Sequence, residues 1–136
     1  MTVANTFLAG AQKSGTSSLY IRFDNHPDCL VSDPKEPHFF CRSDTMSDMA
    51  RYERCFQATD KATDRVVLDC STSYMMHAGV AERIATTLGR DLRLVFVLRE
   101  PVDRAVSAYW HAAKHGYEQR SIEEVFNLDA HDLDTL

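Results

Sequence analysis

The segment Leu92-Arg93-Leu94-Val95-Phe96-Val97-Leu98 constrains the fold more than any other part of the chain. Successive side chains on a strand point to opposite faces, so a nearly continuous apolar run predicts a strand covered on both sides. Phe7-Leu8-Ala9-Gly10, after Val3-Ala4, and Val66-Val67-Leu68 are shorter runs of the same kind, and Leu30-Val31 offers one more. Helical patterns separate them. Residues 16–23 place Leu19 and Phe23 on one face; residues 79–88 align Val80, Ile84 and Leu88, with Gly89 able to take the left-handed conformation that ends a helix. Pro101 opens a helix whose face carries Val102, Ala105, Val106, Tyr109, Ala112 and Ala113, and Gly116 closes it. A polar helix is predicted over 46–57, and Ser121-Ile122-Glu123-Glu124 starts another with a capping box. Strands alternating with helices predict a three-layer α/β fold, a parallel sheet with helices on both faces. Ligands of such sheets lie at the carboxyl ends of the strands, where Lys13 and Arg99 both fall and can share one crevice.

Composition narrows the class. Of 136 residues, 44% are hydrophobic, which excludes a disordered tail, and the length suits a single domain over 1–136. A net charge of −5 argues against nucleic-acid binding, which needs a basic stripe to displace counterions, so any phosphate site must be local. Cys29, Cys41, Cys55 and Cys70 lie 12, 14 and 15 residues apart with no C-x-x-C pair. That spacing predicts neither a zinc site nor a redox pair, and the sparse cysteines point to reduced thiols and a cytoplasmic location. The histidines show no metal-ligand spacing, so no metal is expected. Residues 1–10 lack a basic flank followed by a long apolar run, and neither a signal peptide nor a membrane span is predicted.

Gly10-Ala11-Gln12-Lys13-Ser14-Gly15-Thr16-Ser17 is close to the nucleotide-binding pattern G-x-x-x-x-G-K-[ST]. Both glycines and Ser17 keep their places, but Thr16 stands where that pattern has lysine, and a lysine occurs at 13 instead. Such a strand–turn–helix loop offers backbone N–H donors and the positive end of a helix to an oxyanion. A triphosphate site uses its lysine on the outer phosphates and its Ser/Thr on magnesium. A phosphosulfate carries less charge, and a lysine beside its bridging oxygen can stabilise the departing phosphate without a metal.

Gln12-Lys13-Ser14-Gly15-Thr16-Ser17-Ser18-Leu19, followed by His26-Pro27, resembles the 5′-phosphosulfate loop of sulfotransferases that use 3′-phosphoadenosine 5′-phosphosulfate (PAPS). The stretch from Leu94 to Tyr109, with Arg99-Glu100-Pro101 and Ser107, is similar to the 3′-phosphate motif of the same family. The resemblance implies a P-loop-like fold, PAPS as sulfuryl donor, and Lys13, Ser14, Gly15, Thr16, Ser17, Arg99 and Ser107 as its binding residues. Arginine also suits phosphate through its forked donors. Lys35-Glu36-Pro37-His38-Phe39-Phe40 is similar to the acceptor-side segment of bacterial and heparan-type members. Sulfuryl transfer needs a base to take the acceptor's proton, for which Glu36 is the first choice and His38 the alternative, while Lys35 is a candidate second cation at the sulfuryl group. Heparan-type members can carry a lysine after the acidic residue that ends the second long strand; here Asp69 is followed by Cys70.

The resemblance implies transfer of a sulfuryl group to a hydroxyl or amine of a small-molecule or carbohydrate acceptor, with no nucleic-acid or membrane partner. Family domains run to roughly 250 residues, the upper range for one domain, so the chain reads as an N-terminal portion or a short member. An incomplete sheet would expose an edge and favour a homo-oligomer. Two other readings compete. A nucleotide kinase or NTPase would need a magnesium-holding carboxylate, for which Asp69 is the candidate. A truncated binding module would bind the nucleotide weakly or not at all.

Overall fold

The computed structural model describes residues 2–42, 48–57 and 66–127. They form two compact units, Met1–Arg99 and Glu100–Leu136. In the first, β1 (Thr6–Gly10), β2 (Cys29–Val31), β3 (Val66–Asp69) and β4 (Arg93–Phe96) make one sheet in the order β2-β3-β1-β4, with every pairing parallel. β1 is buried throughout because it lies between two strands and under helices on both faces. Its alternating side chains feed two cores. Leu8 joins Val31, Leu68 and Cys70, covered by Leu19, Tyr20 and Phe23 of α1 (Thr16–Asp24). Phe7 and Ala9 face the other way, toward Tyr52 of α2 (Met49–Arg54), and Val80 and Ile84 of α3 (Val80–Leu88). Sheet and helices thus form the three layers that the alternating pattern predicts.

The second core is dense in aromatic rings. Phe40 is fully buried, with ring centroids of Phe39 and Tyr52 both 5.1 Å away and those of Tyr74 and Phe7 at 6.1 and 6.2 Å. Edge-to-face rings at such separations add about 0.5–1.5 kcal/mol per pair beyond area burial.

Two strand expectations change. The run at 92–98 forms only the four-residue β4, because its single partner β1 ends at Gly10 opposite Phe96. Nor is β4 covered on both faces: it is the sheet edge, and Leu94, Phe96 and Leu98 are 58%, 48% and 75% exposed. The helix expected over 46–57 spans Met49–Arg54, its last turn tightened by Cys55 N–H to Tyr52 C=O and Phe56 N–H to Glu53 C=O; residues 46 and 47 lie outside the described residues.

The second unit carries α4 (Pro101–Lys114) and α5 (Ile122–Phe126). Pro101 supplies the preset first helical residue and the Glu100 carboxylate accepts from Asp103 N–H at 2.8 Å. α4 carries its apolar residues on one face, as expected, but none of them is buried. The predicted capping box is present: Ser121 Oγ accepts from Glu124 N–H and the Glu124 carboxylate accepts from Ser121 N–H.

Candidate active site

β1 ends at Gly10 on the carboxyl edge of the sheet, and residues 11–15 turn into α1. The start of the turn is stitched to the chain beyond β4: Ala11 N–H donates to Val97 C=O (2.9 Å) and Val97 N–H to Gly10 C=O (2.8 Å). A methyl group at Gly10 would run into Met75 Sδ, so glycine lets the segment after β3 come close. Lys13 and Gly15 both take positive φ, 65° and 93°. Gly15 caps α1 without any side-chain bond, so the first N–H groups of the helix and its positive end are left for an anion. Among the described residues, Ser14 Oγ is the buried side-chain polar atom that has no hydrogen-bond partner. An unsatisfied buried hydroxyl is costly, and an incoming acceptor would relieve it. Arg99, at the end of the β4 segment, donates from Nη1 to Lys13 C=O at 3.3 Å. Arg99 thus reaches the backbone of Lys13 at the sheet edge to which topology alone assigns both residues.

The facing wall is the loop after β2. Ser32 is fully buried, and its Oγ donates to Lys35 C=O at 2.9 Å while its own carbonyl accepts from Tyr20 OH at 3.0 Å. Lys35 Nζ bonds Ser17 Oγ (3.1 Å) and Glu36 Oε1 (3.0 Å). Glu36 Oε2 accepts from Thr72 Oγ1 (2.9 Å) and Thr72 N–H (3.3 Å), and His38 Nε2 stands 3.7 Å away. Burial opposes charge on Glu36, but the bonds from Lys35 and Thr72, with the nearby Lys35 and His38 charges, outweigh it and hold the carboxyl below its ordinary range. His38 takes φ 50°, its N–H donates to Ser71 Oγ (3.0 Å), and its Nδ1 shares a 2.7 Å hydrogen bond with Ser73 Oγ. Both candidate bases are therefore fixed on one side of the loop, within reach of each other.

Beneath them lies a charged group in the core. Asp69, fully buried, accepts from Ser71 Oγ at 2.7 Å and from Tyr52 OH and Tyr74 OH, both at 2.9 Å. Burial raises its carboxyl to about 6 even though those hydroxyls and the His38 charge pull it down. Both oxygens are committed to hydroxyls of the core, which leaves Asp69 poorly suited to the magnesium role that an NTPase would ask of it. Among the described residues no cluster of His, Cys, Asp and Glu could hold a metal ion, and no helix is long and apolar enough to cross a membrane.

A sequence model of the family described as "Sulfotransferase domain" matches residues 4–132. The chain belongs to that family. Human bifunctional heparan sulfate N-deacetylase/N-sulfotransferase 3 is 30% identical over 111 residues, covering 78% of this chain and 13% of the relative. Mouse heparan sulfate glucosamine 3-O-sulfotransferase 3B1 is 32% identical over 102 residues, covering 75% of this chain and 25% of the relative. The crystal structure of a sulfotransferase from Alicyclobacillus acidocaldarius superposes with a TM-score of 0.80 at 30% identity, covering 99% of this chain and 60% of that one. This chain thus spans between 13% and 60% of the length of these proteins.

Lys13, Ser14, Gly15, Thr16, Ser17, Glu36, His38 and Arg99 all belong to the first unit, while Ser107 sits half-buried on α4 in the second. Phe39 and Phe40 are core, and Met75 and Met76 are exposed at 47% and 64%. Sequence reasoning passed over Ser71, Thr72 and Ser73 as supports: each hydroxyl holds Glu36 or His38, or the buried carboxylate below them. Their signal was available, because three consecutive hydroxyl residues, separated from β3 only by Cys70, lie at the same sheet edge that singled out Lys13 and Arg99. Cys70, next to Asp69, is fully buried, its thiol pushed up to about 12 by burial, which Lys35 opposes and Glu36 and Asp69 reinforce.

Proposed function

We propose that this chain binds PAPS in the crevice between the β1 loop and the end of β4 and transfers its sulfuryl group to a hydroxyl or amine. The observation that carries the reading is the hydrogen bond from Arg99 to the backbone of Lys13, in which the arginine of the second phosphate motif meets the loop of the first. The loop fits an anionic group: Ser14 Oγ lacks a partner, Gly15 has open space around it, and α1 begins without a side-chain cap. Bound there, PAPS supplies a sulfuryl group already activated on a phosphate leaving group. Lys13, the loop amides and Ser14, Thr16 and Ser17 hold the 5′ end, and Arg99 holds the 3′-phosphate. Glu36 takes the acceptor's proton as the new bond to sulfur forms, with His38 beside it as the alternative base. Lys13 offsets the charge left on the phosphate oxygen as the old S–O bond breaks. Holding donor, acceptor and base in one geometry supplies a large part of the rate.

Relatives named for heparan sulfate support a carbohydrate acceptor. We assign the chain to a reducing, cytoplasmic setting in which Cys29, Cys41, Cys55 and Cys70 stay as the free thiols they are here. The test is calorimetric titration with adenosine 3′,5′-bisphosphate in magnesium-free buffer. Binding is expected, and Lys13→Ala should abolish both it and sulfuryl transfer while leaving the circular dichroism native. Absence of binding to the unmodified chain would overturn the reading.

A further inference from the structure

Lys35 joins the two halves of the crevice. Its ammonium has three donors, and two of them are spent on Ser17 Oγ in the anion loop and on Glu36 Oε1. The two oxygens of Glu36 are held differently: Oε1 by Lys35, Oε2 by the hydroxyl and N–H of Thr72, with His38 Nε2 nearby. Releasing Lys35 would therefore free one oxygen while the other keeps the carboxylate in place. The Lys35 and Glu36 side chains are 29% and 25% exposed, so the pair is partly screened and its strength is modest. An ammonium that already touches the loop hydroxyl is well placed to exchange a carboxylate for a more highly charged phosphate.

We propose that Lys35 is shared between Glu36 and the anion of the donor loop, so that filling the loop draws the ammonium off Glu36 Oε1 and frees that oxygen to receive the acceptor's proton. The inference rests on the donor reading above. It resolves a tension within the site: the carboxylate best placed to act as base is held below its ordinary range in part by Lys35, which makes it a weak proton acceptor until that cation leaves. It also imposes an order, since an acceptor that arrives at an empty loop meets an oxygen already occupied.

The experiment is a double-mutant cycle read by calorimetry with adenosine 3′,5′-bisphosphate on the full chain, Glu36→Gln, Lys35→Met and the double variant. Neutralising Glu36 releases Lys35 to the ligand, so Glu36→Gln should bind about three- to fivefold tighter than the unmodified chain, the span a partly exposed ion pair allows. In the Lys35→Met background the same change should alter binding less than about twofold. Should Lys35→Met lose native circular dichroism, Lys35→Gln takes its place in the cycle. An equal gain in both backgrounds would reflect plain repulsion between carboxylate and phosphate and would overturn the shared cation, as would no gain in either. Failure of the unmodified chain to bind at all would instead overturn the donor reading itself.

Discussion

Asp69→Asn tests the buried network through the pH dependence of stability. In the folded chain the Asp69 carboxyl keeps its proton up to about pH 6, against an ordinary value of 3.8 once the chain unfolds. Between those two values the folded state binds the extra proton, so the contribution is complete below the lower value and is lost as pH climbs through the upper one. The rise from 3.8 to about 6 corresponds to about 3 kcal/mol, of which about 2 kcal/mol falls above pH 4.5. Glu36 works in the opposite sense. Its carboxyl is held below the ordinary 4.5, so its contribution is full at neutral pH and is lost on acidification below that value. The window from about pH 4.5 to about pH 7 thus separates Asp69 from Glu36. Urea unfolding followed by near-ultraviolet circular dichroism, which reads the Phe39, Phe40, Tyr52 and Tyr74 rings, should show the unmodified chain losing stability across that window. Asparagine keeps the shape, and the surrounding hydroxyls can rotate to bond its amide, so the variant should lose this part of the slope. Parallel curves for the two proteins would refute the argument that a desolvated carboxylate sits at the end of β3.

Thr72→Val preserves side-chain shape but removes the 2.9 Å bond to Glu36 Oε2, so the acid limb of the kcat/KM profile for sulfuryl transfer should move to higher pH; an unmoved limb would take Glu36 out of the role of base. Phe40→Ala empties a fully buried site ringed by Phe7, Phe39, Tyr52 and Tyr74 and should cost about 3–5 kcal/mol in urea unfolding. A loss below about 1 kcal/mol would contradict the packing described for that cluster.

The layers and the place of the crevice were legible because both depend on short-range regularities. Phe7-Leu8-Ala9 alternates between two cores, Leu19 and Phe23 recur at helical spacing, and Lys13 and Arg99 each follow a strand. The exposure of β4 was not legible, since its apolar run is that of an interior strand and its edge position follows from the order in which strands associate. Nor could local pattern supply the contacts of Thr72 with Glu36 or Ser73 with His38, which join residues 36 and 35 positions apart. The same holds for Tyr52, which lies in a segment predicted only as a polar helix but whose hydroxyl donates to the buried Asp69.

Among the described residues, Lys13 and His38 are the non-glycine positions with left-handed backbone. Each sits in a conformation that glycine would occupy with less strain, by about 1–3 kcal/mol at such positions. A search for greater thermal resilience would therefore be drawn to replace these two side chains first, and would strip the crevice of its loop ammonium and its imidazole. Foldability and chemistry make opposing demands at these two sites, so a hardened variant chosen by melting temperature alone is expected to be an inert one.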